Sequence, residues 1–223
     1  MQATRQSFDN MLEEYKSDIL RMGKLVQQAL SNAVKSLATQ DVDLARLVVD
    51  GDDKIDLLMD TLEDHSLRLI ATQQPMATDL RRIGTGFKVI SDLERMGDHA
   101  VHIAQITLRF AGQPLLKPLV DIPRMAEHVQ EMLELMLKAY VEGDMELATR
   151  ASEMDDLVDE LYAKVTTELI EMMQKNPKTA YQGTHLLLVV KYLERVADHV
   201  TNVGERLVYQ NTGVHQVFNP KLD

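Results

Sequence analysis

The segment Leu93-Glu94-Arg95-Met96-Gly97-Asp98-His99 returns one hundred positions later as Leu193-Glu194-Arg195-Val196-Ala197-Asp198-His199. Five of the seven positions are identical, and they include two carboxylates spaced i,i+4 with an Arg and a His beside them. Apolar positions recur in any helical protein, but charge on a helix surface is normally free to vary. A charged cluster that returns intact therefore marks a duplicated unit, here one that carries an acidic site. The correspondence extends further: residues 22–28 align with 125–131, Gln40-Asp41 with Gly143-Asp144, and 52–56 with 155–159, all displaced by 103 positions. The displacement falls to 100 after the loops that hold Pro75 and Pro177, so the first copy has a connection three residues longer. Coherent registers on either side of one insertion are what a repeated fold produces.

Each copy reads as three long helices. The first spans about 5–39 and its counterpart 119–142. The second starts near Asp41 and Asp144, both placed as N-cap acceptors for orphan backbone N–H groups. It ends before Gln73-Gln74-Pro75 and Lys175-Asn176-Pro177, because Pro and its predecessor resist continuing a helix. The third covers about 76–111 and 179–210. Ala111-Gly112-Gln113-Pro114-Leu115-Leu116-Lys117-Pro118 is the clearest linker. The expected fold is all-α, two tandem antiparallel three-helix bundles over 1–112 and 118–212, with 213–223 as a flexible tail. Six Tyr, four Phe and no Trp, against many Leu, Met, Ala, Glu and Gln, form a helix-former's alphabet. The thirteen Met are expected mainly as core filler.

Composition narrows the partners. The net charge of −11 and the shortage of aromatic stacking platforms argue against DNA or RNA, which need a positive field. Cations and basic protein surfaces suit it better. With no Cys, thiolate metal sites are excluded. No apolar run approaches the roughly 18 residues that span a bilayer, and the start has no secretory pattern. A cytoplasmic location is expected.

The carboxylates border the core. On the third helix the apolar stripe is Ile90, Leu93, Gly97, Val101, Ala104 and Leu108, and Glu94 and Asp98 lie about 60° and 100° to one side of it. On the second helix the stripe is Ile55, Leu58, Leu62 and Leu69, with Asp52 and Asp56 about 90° and 130° away on the same rotational side. Asp155 and Asp159 repeat these angles against Val158, Leu161, Val165 and Met172, and Glu194 and Asp198 against Val190, Leu193, Ala197 and Val200. In an antiparallel pair the same flank of each helix can face one groove, so each copy either gathers four carboxylates or, with the opposite bundle hand, separates them. Gathered like charges repel by roughly 1–4 kcal/mol per close pair. A hard or borderline cation with oxygen ligands relieves that: Mg, Ca, Mn, Fe or, less readily, Zn. Against this stands the bland reading of acids at i,i+4 as a solvated helix face. His99 and His199 read as exposed or supporting groups rather than ligands, and Arg95 and Arg195 as salt-bridge partners of the neighbouring acids. Gly97 and Ala197 are small so that a neighbouring helix can approach closely. Glu-x-x-His pairs, Gly-rich phosphate loops and nucleophile elbows are absent. A metal-dependent enzyme acting on phosphate compounds and a purely structural scaffold are the alternative readings.

The duplicated E-R-x-x-D motif, its D-x-x-x-D partner and the six-helix layout resemble the PhoU family of phosphate-signalling regulators. The resemblance covers residues 5–210 and includes Gln74-Pro75-Met76-Ala77-Thr78-Asp79-Leu80-Arg81, similar to the family's Q-P-x-A-S-D-L-R segment. The second copy departs from it with Ala197 in E-R-I-G-D and with Thr179-Ala180-Tyr181-Gln182 in place of A-S-D-L-R. The resemblance implies a non-enzymatic, homodimeric cytoplasmic regulator of phosphate uptake and phosphate-starvation signalling. Its implied partners are the ATPase subunit of a phosphate ABC transporter and a sensor histidine kinase, through which alone it would meet a membrane. It also implies metal ions, possibly multinuclear, on Asp52, Asp56, Glu94 and Asp98 and on Asp155, Asp159, Glu194 and Asp198.

Overall fold

A computed structural model describes residues 2–218. Among them the chain is helical throughout, with no strand: α1 Gln2–Thr39, α2 Val42–Gly51, α3 Asp53–Gln73, α4 Thr78–Arg109, α5 Asp121–Glu142, α6 Met145–Glu153, α7 Asp155–Lys175 and α8 Ala180–Thr212. No helix among the described residues is long and apolar enough to cross a membrane. Each bundle has three rods, and the middle rod is interrupted once. α2 gives way to α3 at Asp52, whose φ of −60° and ψ of −43° keep the backbone helical, so the rod bends rather than reverses. The bend tightens into i,i+3 bonding, with the Ile55 N–H donating to the Asp52 carbonyl at 2.7 Å. α6 and α7 meet the same way at Met154. The interruptions fall at Asp50-Gly51-Asp52-Asp53 and Glu153-Met154-Asp155-Asp156. Weak helix formers and like charges one turn apart lower the local helical preference there.

The rod ends follow their sequence signals. The Asp41 carboxylate accepts the Leu44 N–H at 2.9 Å, and the Asp144 carboxylate accepts those of Glu146 and Leu147. The residue before each cap is left-handed: Gly143 at φ 70° and its counterpart Gln40 at φ 55°. Glycine takes that conformation freely, whereas Gln40 bears a steric cost there.

The apolar stripes are buried as expected, with Leu108 and Met172 half-covered. They join one continuous core that spans both bundles. α4 packs on α8 and α1 on α5. Side chains and backbone link Arg81 to Gln210, Thr85 to Arg206, Asp92 to His199 and Arg109 to His185, so α4 and α8 run antiparallel. Their midpoint falls near Met96 and Val196, equivalent positions in the two copies. The bundles are thus related by an approximate twofold axis through the α4–α8 contact. Residues 213–218 fold back along α8, and 219–223, the remainder of the expected tail, lie outside the described residues.

Two glycines of α4 separate packing from helix propensity. A Cβ on Gly86 would sit 2.5 Å from the ring of buried Tyr15, whose hydroxyl accepts a bond from Ser66 at 2.6 Å, whereas a Cβ on Gly84 meets nothing. Gly84→Ala should therefore stabilise the protein by about 0.5–1 kcal/mol. Gly86→Ala should destabilise it by about 1–3 kcal/mol through overpacking. Urea unfolding of the two variants distinguishes these signs.

Candidate functional site

The bend at Asp52 starts the acidic site of the first copy. It places Asp52 at the head of α3 with Asp56 one turn on, while α4 carries Glu94 and Asp98. Gly97 lets these helices close: a Cβ there would lie 3.1 Å from Ile55 Cδ1 and 3.9 Å from Asp52 Oδ1. The bundle hand left open by the helical angles is the converging one. Burial, then the charges of Asp56, Asp98 and Asp53, push the Asp52 carboxyl up to about 6, with His102 opposing. Asp56 is raised by desolvation and by Asp98, Asp53 and Asp60. Glu94 is raised by burial and then Asp98, against which Arg95 acts, with Asp56 and Asp52 adding to the rise. The four acids thus act on one another across the α3–α4 groove. Arg95 is the salt-bridge partner its position suggested, 3.4 Å from Glu94 and 3.0 Å from Asp98.

The second copy is not a replica. Glu194 is 6% exposed and bound by Lys191 at 2.6 Å, a residue whose counterpart is Ser91. Arg195 reaches Asp198 at 3.4 Å. Asp155 is buried and Asp159 exposed. Asp155 and Asp198 share a hollow of about 370 Å³ with Arg195, Thr201, Asn202 and Glu205. Of the four expected acids, these two form its walls. Lys191, Asn202 and Glu205 were missed from the sequence. The signal was available in the differences between the copies, since Ser91, His102 and Gln105 occupy the matching positions.

The histidines correct a second expectation. His99 is not an exposed group: it lies half-buried between the bundles, stacked on Tyr192 at 5.5 Å and facing His199 at 5.9 Å. Burial, then His199 and His102, press its pKa down to about 4 despite Asp98, so it is neutral at physiological pH. His102, unassigned from the sequence, stacks on the other side chain of this group, Tyr192, at 5.0 Å. His199 Nδ1 meets Asp92 Oδ1 at 2.9 Å. The two acidic sites therefore flank one polar strip along the twofold axis. As the side chains stand, no group of three or more His, Asp or Glu among the described residues is gathered to hold a metal ion.

Comparison with known proteins places this arrangement. A family model described as the PhoU domain matches residues 19–107 and again 122–207. The chain is similar to the phosphate-specific transport system accessory protein PhoU homolog of Clostridium acetobutylicum, 39% identical over 94% of this chain and 96% of that one. It is 43% identical to the Aquifex aeolicus protein of the same description, over 91% of each. The crystal structure of the phosphate transport system regulatory protein PhoU from Streptococcus pneumoniae superposes with a TM-score of 0.88 at 32% identity, covering 94% of this chain and 99% of that chain. PhoU from Pseudomonas aeruginosa gives 0.89 at 30% identity, with 93% and 100% covered.

The crowding at Asp52 has a pH signature. A carboxyl that titrates near 6 when folded and at its ordinary 3.8 when unfolded makes the fold lose stability as pH rises between those values. Asp52→Asn should therefore stabilise the metal-free protein at about pH 7.5 and leave it unchanged near pH 4. Urea unfolding in chelator at the two pH values reads the effect; an equal gain at both would contradict the electrostatic origin.

Proposed function

This chain belongs to the PhoU family, and we propose that it acts as a cytoplasmic, metal-binding adaptor that restrains a phosphate ABC transporter and its sensor kinase. At the coarser level it is an accessory regulator of phosphate transport, as its relatives are named, and not an enzyme. The finer reading rests on the mutual crowding of Asp52, Asp56, Glu94 and Asp98, which is a standing electrostatic cost with no structural need in a helix surface. Four carboxylates with no nitrogen or sulfur donor among them fit a hard or borderline cation such as Fe, Mn, Mg or Zn. Those four side chains would hold it, after exposed Asp56 turns inward and Arg95 releases Asp98. In the second copy Asp155, Asp159, Glu194 and Asp198 are the corresponding candidates, with Lys191 first leaving Glu194. When bound, the cation supplies charge neutralisation and ties the middle rod of a bundle to its third rod. The protein's own residues set which copy fills first: Lys191 already pairs with Glu194 in the second site and has only Ser91 as its counterpart in the first, so the first binds more tightly.

A surface of net charge −11 and a fold built on long rigid rods suit a protein that docks on others, here the transporter's ATPase subunit and a sensor histidine kinase, as a homodimer. Asp56→Asn combined with Glu94→Gln should lower bound Fe or Mn per chain in protein purified without chelators, and leave the helical circular dichroism intact, because Asp56 is at the surface and Glu94 only half-buried. Metal content unchanged by the double substitution removes the first copy's acids from the role. Pull-down of the ATPase subunit and of the kinase's cytoplasmic region, with metal and with chelator, tests the adaptor reading; failure to retain either partner in both conditions rejects it.

A further inference from the structure

We propose that residues 213–218 form a strap that closes over the second acidic hollow and governs cation access to that copy alone. The chain leaves α8 through Gly213, left-handed at φ 75°, which reverses it along the helix it has just completed. Contacts with α8 then hold it down, beginning with the Val214 N–H donating to Thr212 Oγ1 at 3.1 Å. His215 stacks on Tyr209 with ring centroids 4.2 Å apart and planes 8° from parallel. The Phe218 N–H donates to Glu205 Oε1 at 3.2 Å. The Phe218 ring lies against Gly204, where a Cβ would come within 3.1 Å of Cε2. Between His215 and Phe218, Val217 forms part of the wall of the hollow that Asp155 and Asp198 share.

The first copy is an internal control. Its chain runs on from α4 into the 110–120 linker toward α5, so among the described residues the segment after α4 does not return along it. The positions that receive the strap differ accordingly, with Ala104 for Gly204 and Gln105 for Glu205. A side chain at 204 would obstruct the Phe218 ring, and the carboxylate at 205 gives the backbone N–H a charged acceptor, the stronger kind of bond. Gly204 serves the bundle as well, since a Cβ there would come within 2.8 Å of Met136 Cε and 3.1 Å of Ser152 Oγ, whereas the Glu205 carboxylate is the feature that answers to the strap. Among the described residues these contacts, the Val214 bond to Thr212 included, are few and part-exposed, weak enough to open locally without unfolding α8.

Only what passes beneath the strap rests on the cation reading above; the closure itself does not. The chain has no cysteine, so a single introduced thiol reports access directly. Asn202→Cys places it in the hollow, and His102→Cys places it at the matching position of the first copy. Adding Phe218→Ala should raise the rate at which Asn202→Cys reacts with a small maleimide on the order of tenfold, and should leave His102→Cys unchanged. Glu205→Ala, which removes the acceptor and keeps the ring, should act in the same direction. Equal rates with and without the strap substitutions overturn the proposal, and so does acceleration at both thiols, which would mean general loosening. Stopped-flow Mn²⁺ binding adds the second arm: with the first copy's site removed by Asp56→Asn and Glu94→Gln, Mn²⁺ should bind faster when Phe218→Ala is added. No Mn²⁺ binding in any variant would count against the metal reading, while the thiol rates would still decide the strap.

Discussion

The antiparallel contact between α4 and α8 is the interaction on which the rest of the molecule depends. Neither bundle closes its own core: the apolar stripes of the third rods face both inward and toward each other, and burying them requires the second copy. Because the two helices pack near equivalent residues, Met96 and Val196, the packing generates the approximate twofold axis. The axis then fixes where the two acidic sites lie. Each sits on the outer flank of one of these central helices, next to the bend of a middle rod, and His99, His199 and Tyr192 fill the strip between them.

Duplication supplied two equivalent frames, and single residues have made them unequal. Ser91 became a matter of consequence once its counterpart was Lys191, which pairs with Glu194 at 2.6 Å. Gln105 and Ala104 match Glu205 and Gly204, which residues 213–218 meet as they fold back. Gln40 carries a left-handed backbone that Gly143 adopts without cost. The backbone is the conserved quantity between the halves; charge balance and access are where they part.

Much of this was legible from the chain. The period-3.6 stripes located the buried positions of α3, α4, α7 and α8 because apolar burial is a local consequence of helix geometry. Asp41 and Asp144 announced the caps, and Pro75 and Pro177 the ends of the middle rods. The bends at Asp52 and Met154 were missed, because propensity weakens gradually along Asp50-Gly51-Asp52-Asp53 and no single breaker marks the turn. His99 was misplaced for a different reason. Its angle from the core stripe of its own bundle was read correctly, but the face it occupies is covered by α8, and a helical wheel has no term for a second bundle.

The sequence by itself determined the helices, their duplication and which flank of each carries the acids, since these follow from spacing within single helices and from comparison of one half with the other. Only the tertiary structure decided that the acids of α3 and α4 act on one another, that Lys191 pairs with Glu194, and that histidines lie between the two sites. Each of those is a distance between residues far apart in the chain. Helical periodicity fixes rotation about one axis, and it takes the packing of several axes to fix the distances at which charges act.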